Sequence, residues 1–256
     1  MKSMESMNWS GAFAFGSSIA VFRGHAGDNV LHAHAAVQVS VASEGEVEIT
    51  DANGTCHRGA GLVTGASRLH TLSHQHHLTL VFLEPQHPVA RALSPLTRSS
   101  DVATLPAHLA QLIRLAATPQ QCIDSLVPTL VPGNGALDRR LSKALDELVK
   151  NSQAAAIAQA ALHCGLSTSQ LRVLARQQLD TSLSQWVLWK KLALAGQALL
   201  DGASLADAAL QGGFADQAHF SRAMRKTFGI TPGSAHSALL TMPKTPSNRS
   251  IRRARA

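Results

Sequence analysis

The chain has 256 residues, of which 45% are hydrophobic and 15% charged, with 23 Lys/Arg against 16 Asp/Glu for a formal net charge of +7. That length accommodates two domains with a core each, and no stretch approaches the roughly 20 apolar residues of a membrane span, so a membrane partner is not expected. Cys56, Cys122 and Cys164 are scattered without zinc spacing, and the first residues lack the apolar centre of a secretion signal, which together predict a cytoplasmic protein with access to the chromosome.

From about residue 13 to residue 85, short alternating runs (37–41, 46–50 and 78–83) are separated by turn sequences such as Ser43-Glu44-Gly45 and Asp51-Ala52-Asn53-Gly54. Many short strands with no intervening helix predict an antiparallel barrel or sandwich. Ten of the thirteen histidines lie within the first 135 residues. The run His32-Ala33-His34, then Gln38, then Gly45, resembles the first cupin motif, with Gln38 where many cupins carry Glu. Gly61 followed by His70 resembles the second. The resemblance implies a cupin-like β-barrel in which His32, His34, Gln38 and His70 line the interior. In cupin enzymes these positions hold a divalent metal, since imidazole suits first-row transition ions. In regulatory cupins they commonly line an effector site without one. Both readings stand: no cofactor is required, and a divalent metal is the alternative. His74-Gln75-His76-His77 is expected in a solvated turn.

Residues 105–115 and 121–130 read as helices punctuated by Pro106, Pro119, Pro128 and Pro132, either padding the barrel or supporting a homodimer. Pro132-Gly133-Asn134-Gly135 reads as a hinge, and residues 137–149 as the first helix of a second domain. The expected organisation is a sensor domain over 1–90, a helical linker over 91–135, a helical domain over 136–240, and a disordered basic tail over 241–256.

Within the helical domain, residues 157–162 form a scaffold helix, 163–166 a turn, and Ser167-Thr168-Ser169-Gln170 a capping box opening another helix. Leu171 and Leu174 supply its buried stripe, leaving Ser169, Gln170, Arg172, Arg176 and Gln177 outward. Residues 183–200, with Trp186, Leu192, Leu194 and Leu199, form a long connecting helix. Leu205, Ala208, Ala209 and Leu210 then give a second scaffold, Gly212-Gly213 a sharp turn, and Asp216 opens a helix ended by Gly229. Phe214, Phe220, Met224 and Phe228 anchor that helix, so Gln217, Ala218, His219, Ser221, Arg222, Arg225 and Lys226 face outward. Two helix-turn-helix units on one rod predict reading of successive major grooves, roughly 34 Å apart.

Charge divides in the same way. Residues 1–135 carry seven Lys/Arg against nine Asp/Glu, whereas residues 136–256 carry sixteen against seven. A basic excess confined to the helical part is the footprint of phosphate binding.

Ala208-Ala209, Gly213-Phe214, Asp216-Gln217, His219-Phe220-Ser221-Arg222, Phe228-Gly229 and Thr231-Pro232 together resemble the signature of the AraC/XylS transcription regulators, the likeness covering about residues 137–240. The first unit departs from it: where relatives usually carry Arg and, two residues later, Phe, this chain has Val173 and Ala175. The resemblance implies an α+β protein of two domains, a cupin-like antiparallel barrel followed by an all-α domain with two helix-turn-helices joined by a long helix. It implies base contacts from Gln217, Ala218, His219 and Arg222 in the second unit and from Ser169, Gln170 and Arg172 in the first, with Arg176, Arg225 and Lys226 on phosphates. The expected partners are double-stranded DNA, a small-molecule effector, RNA polymerase for an activator, and a second copy of the chain. A metal-binding cupin sensor or enzyme fused to a DNA-binding domain is the alternative. No nucleophile–base–orienter set is visible, so catalysis is not expected.

Overall fold

The computed structural model of the chain describes residues 9–27, 29–73, 75–127, 137–150 and 156–233. The expected hinge at 132–135 and the basic tail lie outside the described residues. Among the described residues of the first 104 there are nine strands: β1 (Ser10–Gly16), β2 (Ile19–Ala26), β3 (Val37–Ala42), β4 (Val47–Asp51), β5 (Cys56–Gly59), β6 (Gly61–Thr64), β7 (His70–Leu72), β8 (Gln75–Leu83) and β9 (Val102–Thr104). They form two antiparallel sheets, one of order β1-β2-β8-β3-β6-β9 and one of order β5-β4-β7. The result is the sandwich form of the expected architecture, not one continuous ring.

Strand alternation decides the two faces of the larger sheet. Val37, Val39, Val41, Val63, Val81 and Leu83 point outward, where α1 (Pro88–Leu93), α2 (Ala107–Leu115) and α3 (Pro119–Leu126) cover them with Leu93, Leu109, Ile113, Ile123 and Leu126. Ala20, Phe22, Leu62, Leu80 and Phe82 point inward and meet Val47, Ile49 and Leu72 of the smaller sheet. The buried faces of α2 and α3 therefore pack on the sheet, which is the padding reading. The sheet also takes β9 from beyond residue 90, so the 91–135 segment is partly integral to the β domain. Residues 75–77, expected in a turn, begin β8, and His77 there has a left-handed φ of 55°. The pairing of β8 with β2 is irregular between Gly24 and Ala26, so the local sequence reads as a turn although the strand continues.

The helical domain comprises α4 (Arg139–Lys150), α5 (Ala156–His163), α6 (Thr168–Leu179), α7 (Leu183–Leu200), α8 (Leu205–Gln211) and α9 (Gln217–Phe228). Local chemistry sets most of these ends. Ser167 and Ser182 each make a full capping box, with Gln170 and Gln185, and Asp216 accepts from the His219 N–H. Gly229 closes α9 at φ 71°. One core holds α4, α5, α6 and the start of α7 around Leu141, Leu171 and Trp186. A second holds the rest of α7 with α8 and α9 around Leu192, Phe214 and Phe220.

Helix α7 is apolar on nearly every side because it is buried against three bodies. Trp186 belongs to the first helical core, Leu192 to the second, and Trp189 to the interior of the β domain. Leu194 and Leu210, expected among the packed apolar residues, are 50% and 63% exposed, because α7 and α8 turn those positions to solvent. Where α7 crosses β1, the Phe15 ring would lie 3.0 Å from any Cβ on Gly196, so the glycine permits that approach.

Polar contacts fasten the two domains together. Lys190 Nζ donates to Glu84 Oε1 at 2.7 Å, Trp186 Nε1 donates to Gln86 Oε1 at 3.0 Å, and the Ser94 hydroxyl donates to Asp180 Oδ2 at 2.8 Å. Ser67 and Thr181 share a hydrogen bond of 2.7 Å. The docking thus engages both the junction between the helix-turn-helices and the end of α6.

Candidate nucleic-acid interface and histidine chamber

The turns of the two units are built alike. Lys143 of α4 donates to the His163 carbonyl at 3.2 Å, and Lys191 of α7 donates to the Gly213 carbonyl at 3.0 Å. In each case a lysine from a neighbouring helix satisfies a carbonyl left open where the scaffold helix ends. This pairing was not read from the sequence, because nothing local marks a lysine that reaches twenty residues along the chain.

Every residue assigned to a base or a phosphate is exposed, Ser169, Gln170, Arg172 and Arg176 on α6, and Gln217, Ala218, His219, Arg222, Arg225 and Lys226 on α9, whereas Ser221, also expected outward, is half-buried. Neither helix contains an acidic residue. Gln170 is partly committed elsewhere, its side-chain carbonyl accepting from the Ser167 N–H at 2.9 Å, so its amide N–H groups remain. The His219 ring stands edge-on to Phe214, centroids 5.3 Å apart, which orients it at the start of α9. On α6 the stripe is Leu171, Ala175 and Leu179, with Leu174 only half-buried. Val173 is 55% exposed, so α6 presents an apolar side chain among its outward positions.

In the β domain His32, His34 and His70 are all buried, and one ring nitrogen of each lies within 4.8 Å of the others. An isolated bridge between His32 and His70 joins their backbones, N–H to carbonyl in both directions. Each Nδ1 lies against a backbone carbonyl: His32 on Val30 at 2.8 Å, His34 on Ala36 at 2.9 Å and His70 on Arg68 at 2.9 Å. Carbonyl oxygens only accept, so every Nδ1 carries the proton and every Nε2 presents a lone pair. Two of those lone pairs, on His34 and His70, face Gln38 Oε1 at 3.1 and 3.4 Å, while the Gln38 amide nitrogen donates to Ser40 Oγ. Three acceptors meeting without a donor are reconciled in one of two ways: the Gln38 amide turns over and donates to the histidines, or a cation lies among them. Thr64, the cross-strand partner of Gln38 on the same face, carries the one buried side-chain atom without a hydrogen-bond partner among the described residues, Oγ1. The donor set of three imidazoles with carbonyl-fixed tautomers and one amide oxygen fits a first-row divalent ion.

Burial holds the His32 pKa down to about 4, with the neighbouring His34 adding to the effect. Burial also lowers His34, and it lowers His70 well below 6.5, where His32 and His34 contribute. The folded state therefore binds fewer protons than the unfolded chain below pH 6.5. Its advantage is fully present above that value and is lost as pH falls toward the folded pKa. In chelator-treated protein each neutral ring is expected to cost up to about 1.4 kcal/mol per pH unit through that window. Melting temperature should fall between about pH 7 and about pH 5, and more gently in His70→Gln; equal slopes in both proteins would remove the neutral rings as the cause.

Beside the chamber, between the domains, is a cavity of about 100 Å³. Phe13, Phe15 and Phe82 line it from the β domain, Trp189, Met224 and Phe228 from the helices, and Asn29, His32 and Gln38 are its polar groups. None of its described lining residues is Lys or Arg. Phe228, expected only as an anchor to the scaffold, packs into the β-domain interior as well. A tryptophan on a helix with no polar face was the available signal for this contact.

Residues 161–237 match the family described as a helix-turn-helix domain. Among curated proteins none matches the sequence. In structure the chain is similar to ToxT from Vibrio cholerae in its apo form, with a TM-score of 0.57 and 12% identity over 88% of this chain and 98% of that one. It is similar also to ToxT bound to an unsaturated fatty acid, with a TM-score of 0.57 and 10% identity over 91% and 99% of the two chains. A regulator from Chromobacterium violaceum with an AraC-type DNA-binding domain is 28% identical over 41% of this chain and 95% of that chain, with a TM-score of 0.37. The likeness to ToxT extends over the β domain and the helical domain alike. The residues from Ala208 to Pro232 that resemble the AraC/XylS signature lie inside the stretch matched as a helix-turn-helix domain.

Proposed function

We propose that the protein is a non-catalytic, cytoplasmic regulator that reads a specific duplex with α6 and α9 and is controlled by a small effector held between its domains. The observation that carries the DNA reading is that two helices without acidic residues expose all of the expected groove-facing side chains at the ends of one shared rod. Gln217, Ala218, His219 and Arg222 are assigned to base edges with Ser169, Gln170 and Arg172, and Arg176, Arg225 and Lys226 to phosphates. RNA polymerase and a second copy of the chain remain its proposed protein partners. Selection of duplexes by the full chain from a random-sequence library is expected to converge on one motif, bound at least about a thousandfold better than random competitor. Failure to enrich any motif would end the sequence-specific reading.

The effector reading rests on the interdomain cavity. ToxT has been seen with an unsaturated fatty acid, and a largely apolar ligand suits the cavity here too. Its aromatic walls, and the absence of Lys and Arg from its described lining residues, favour a molecule with at most a small polar end, directed at Asn29, His32 or Gln38. At about 100 Å³ the cavity is smaller than the roughly 150 Å³ that holds benzene, so an effector larger than a few heavy atoms is expected to widen it by moving its lining side chains. A ligand at about a hundred times its Kd should raise stability by about 2.7 kcal/mol, read as a shift in melting temperature.

A second reading is favoured by the three opposed acceptors and the unpartnered Thr64 hydroxyl: His32, His34 and His70, with Gln38, hold a divalent transition metal. Such an ion accepts the converging lone pairs and places positive charge at the cavity's polar end. Chelator-treated protein is expected to take up one equivalent of Co²⁺, with visible absorption lost in His34→Ala. No uptake would leave the turned-over Gln38 amide as the arrangement in the chamber.

A further inference from the structure

Two histidines of the chamber are tied to the end of the second recognition helix. The His34 ring lies 5.7 Å from Trp189 of α7 and 6.0 Å from Phe228, the last residue of α9, between ring centroids. Trp189 and Phe228 are 5.5 Å apart, and Phe82 of β8 stands 5.8 Å from each. His34, Phe82, Trp189 and Phe228 thus form one aromatic box, with two walls from each domain. His32 is linked by the backbone: its Nδ1 donates to the Val30 carbonyl, and the Val30 N–H donates to the carbonyl of Gly229 at 3.4 Å. A Cβ on Gly229 would lie 2.5 Å from that same Val30 oxygen, so the α9 cap is seated directly on the segment that orients His32.

Resting on the metal reading of the chamber, we propose that a divalent transition metal bound by His32, His34, His70 and Gln38 is a regulatory ligand whose occupancy is transmitted to α9 through His34 and Val30. Coordination requires each imidazole to hold one orientation, and the groups that orient His32 and His34 are the ones that seat the end of α9. The bound ion therefore changes the free energy of docking α9 on the β domain. Both recognition helices hang from α7, so the docking state sets how they address two grooves together. Local packing carries the coupling, and the physical warrant is an element that both sites contact directly.

The test uses the full chain, Co²⁺ and Zn²⁺ as probes, and the duplex recovered by selection. Metal affinity is measured by competition with a chromophoric chelator, and duplex affinity is measured with metal and with chelator. The expected result is a change of at least about tenfold in duplex Kd on metal loading, and a change of equal factor in metal affinity on adding duplex, since the coupling is reciprocal. Phe228→Leu is expected to keep metal affinity within about threefold of the parent while reducing the coupling below about threefold. Should Phe228→Leu fail to fold, Trp189→Phe carries the same comparison. Stoichiometric metal with unchanged duplex affinity overturns the coupling and leaves the chamber assignment standing. Absence of metal uptake by the parent chain overturns both.

Discussion

Arg222→Ala is expected to weaken binding to the selected duplex by about 5- to 150-fold, about 1–3 kcal/mol, and to relax preference at one base pair; Lys226→Ala should weaken all duplexes alike and lower the salt slope by about 1. The two side chains are both exposed and cationic, yet they lie one turn apart on α9. The N-terminal part of a recognition helix meets base edges, and its later residues meet the backbone, so the same charge performs two tasks. Gln217→Ala belongs with Arg222→Ala, since a side-chain amide at the first position of α9 can hydrogen-bond one adenine edge in two places. Titrations of each variant against the selected duplex and against random competitor, at several salt concentrations, separate the roles. Identical behaviour of Arg222→Ala and Lys226→Ala would overturn the division. On α6, where the exposed Val173 can make no hydrogen bond to a base edge, the corresponding effects should be smaller and concentrated at Arg172.

Phe220→Ala should cost about 3–5 kcal/mol and disable the second unit without touching any DNA-facing side chain. Phe220 is wholly buried, in the core that joins α7, α8 and α9, and its ring centroid lies 5.3 Å from that of Phe214. Truncation leaves a cavity that Ala208, Ala209 and Ala223 are too small to fill. The β domain has its own interior, so it should retain its fold at temperatures where the second unit of the variant has melted. Calorimetry should therefore show a low-temperature transition that the parent lacks, with duplex affinity lost in parallel. A single transition at the parent's temperature would mean that this core contributes little.

The helical domain was largely legible because its signals are local. Ser167 with Gln170, Asp216 ahead of α9, and Gly229 after it each act within one turn of helix, so they read the same in sequence and in structure. The errors lie where packing partners decide. Leu194 and Leu210 are as apolar as Leu192, but α7 and α8 turn them away from every core. In the β domain three strand segments stood out by alternation. The short β5, β6, β7 and β9, of three or four residues each, carry too little pattern to be seen without their pairing partners.

Caps, turn glycines and i, i+4 stripes are short-range physics, so the pair of helix-turn-helix units, the polarity of each recognition helix and the placing of positive charge are already written in the order of the residues. Long-range packing, by contrast, is what pairs His70 with His32, thirty-eight positions before it, across a bridge and sets Trp189 and Phe228 as a roof over the space beside them. Strand register and domain docking are settled by which apolar faces can be buried together. That quantity belongs to the assembled surfaces, and no single stretch of chain contains it.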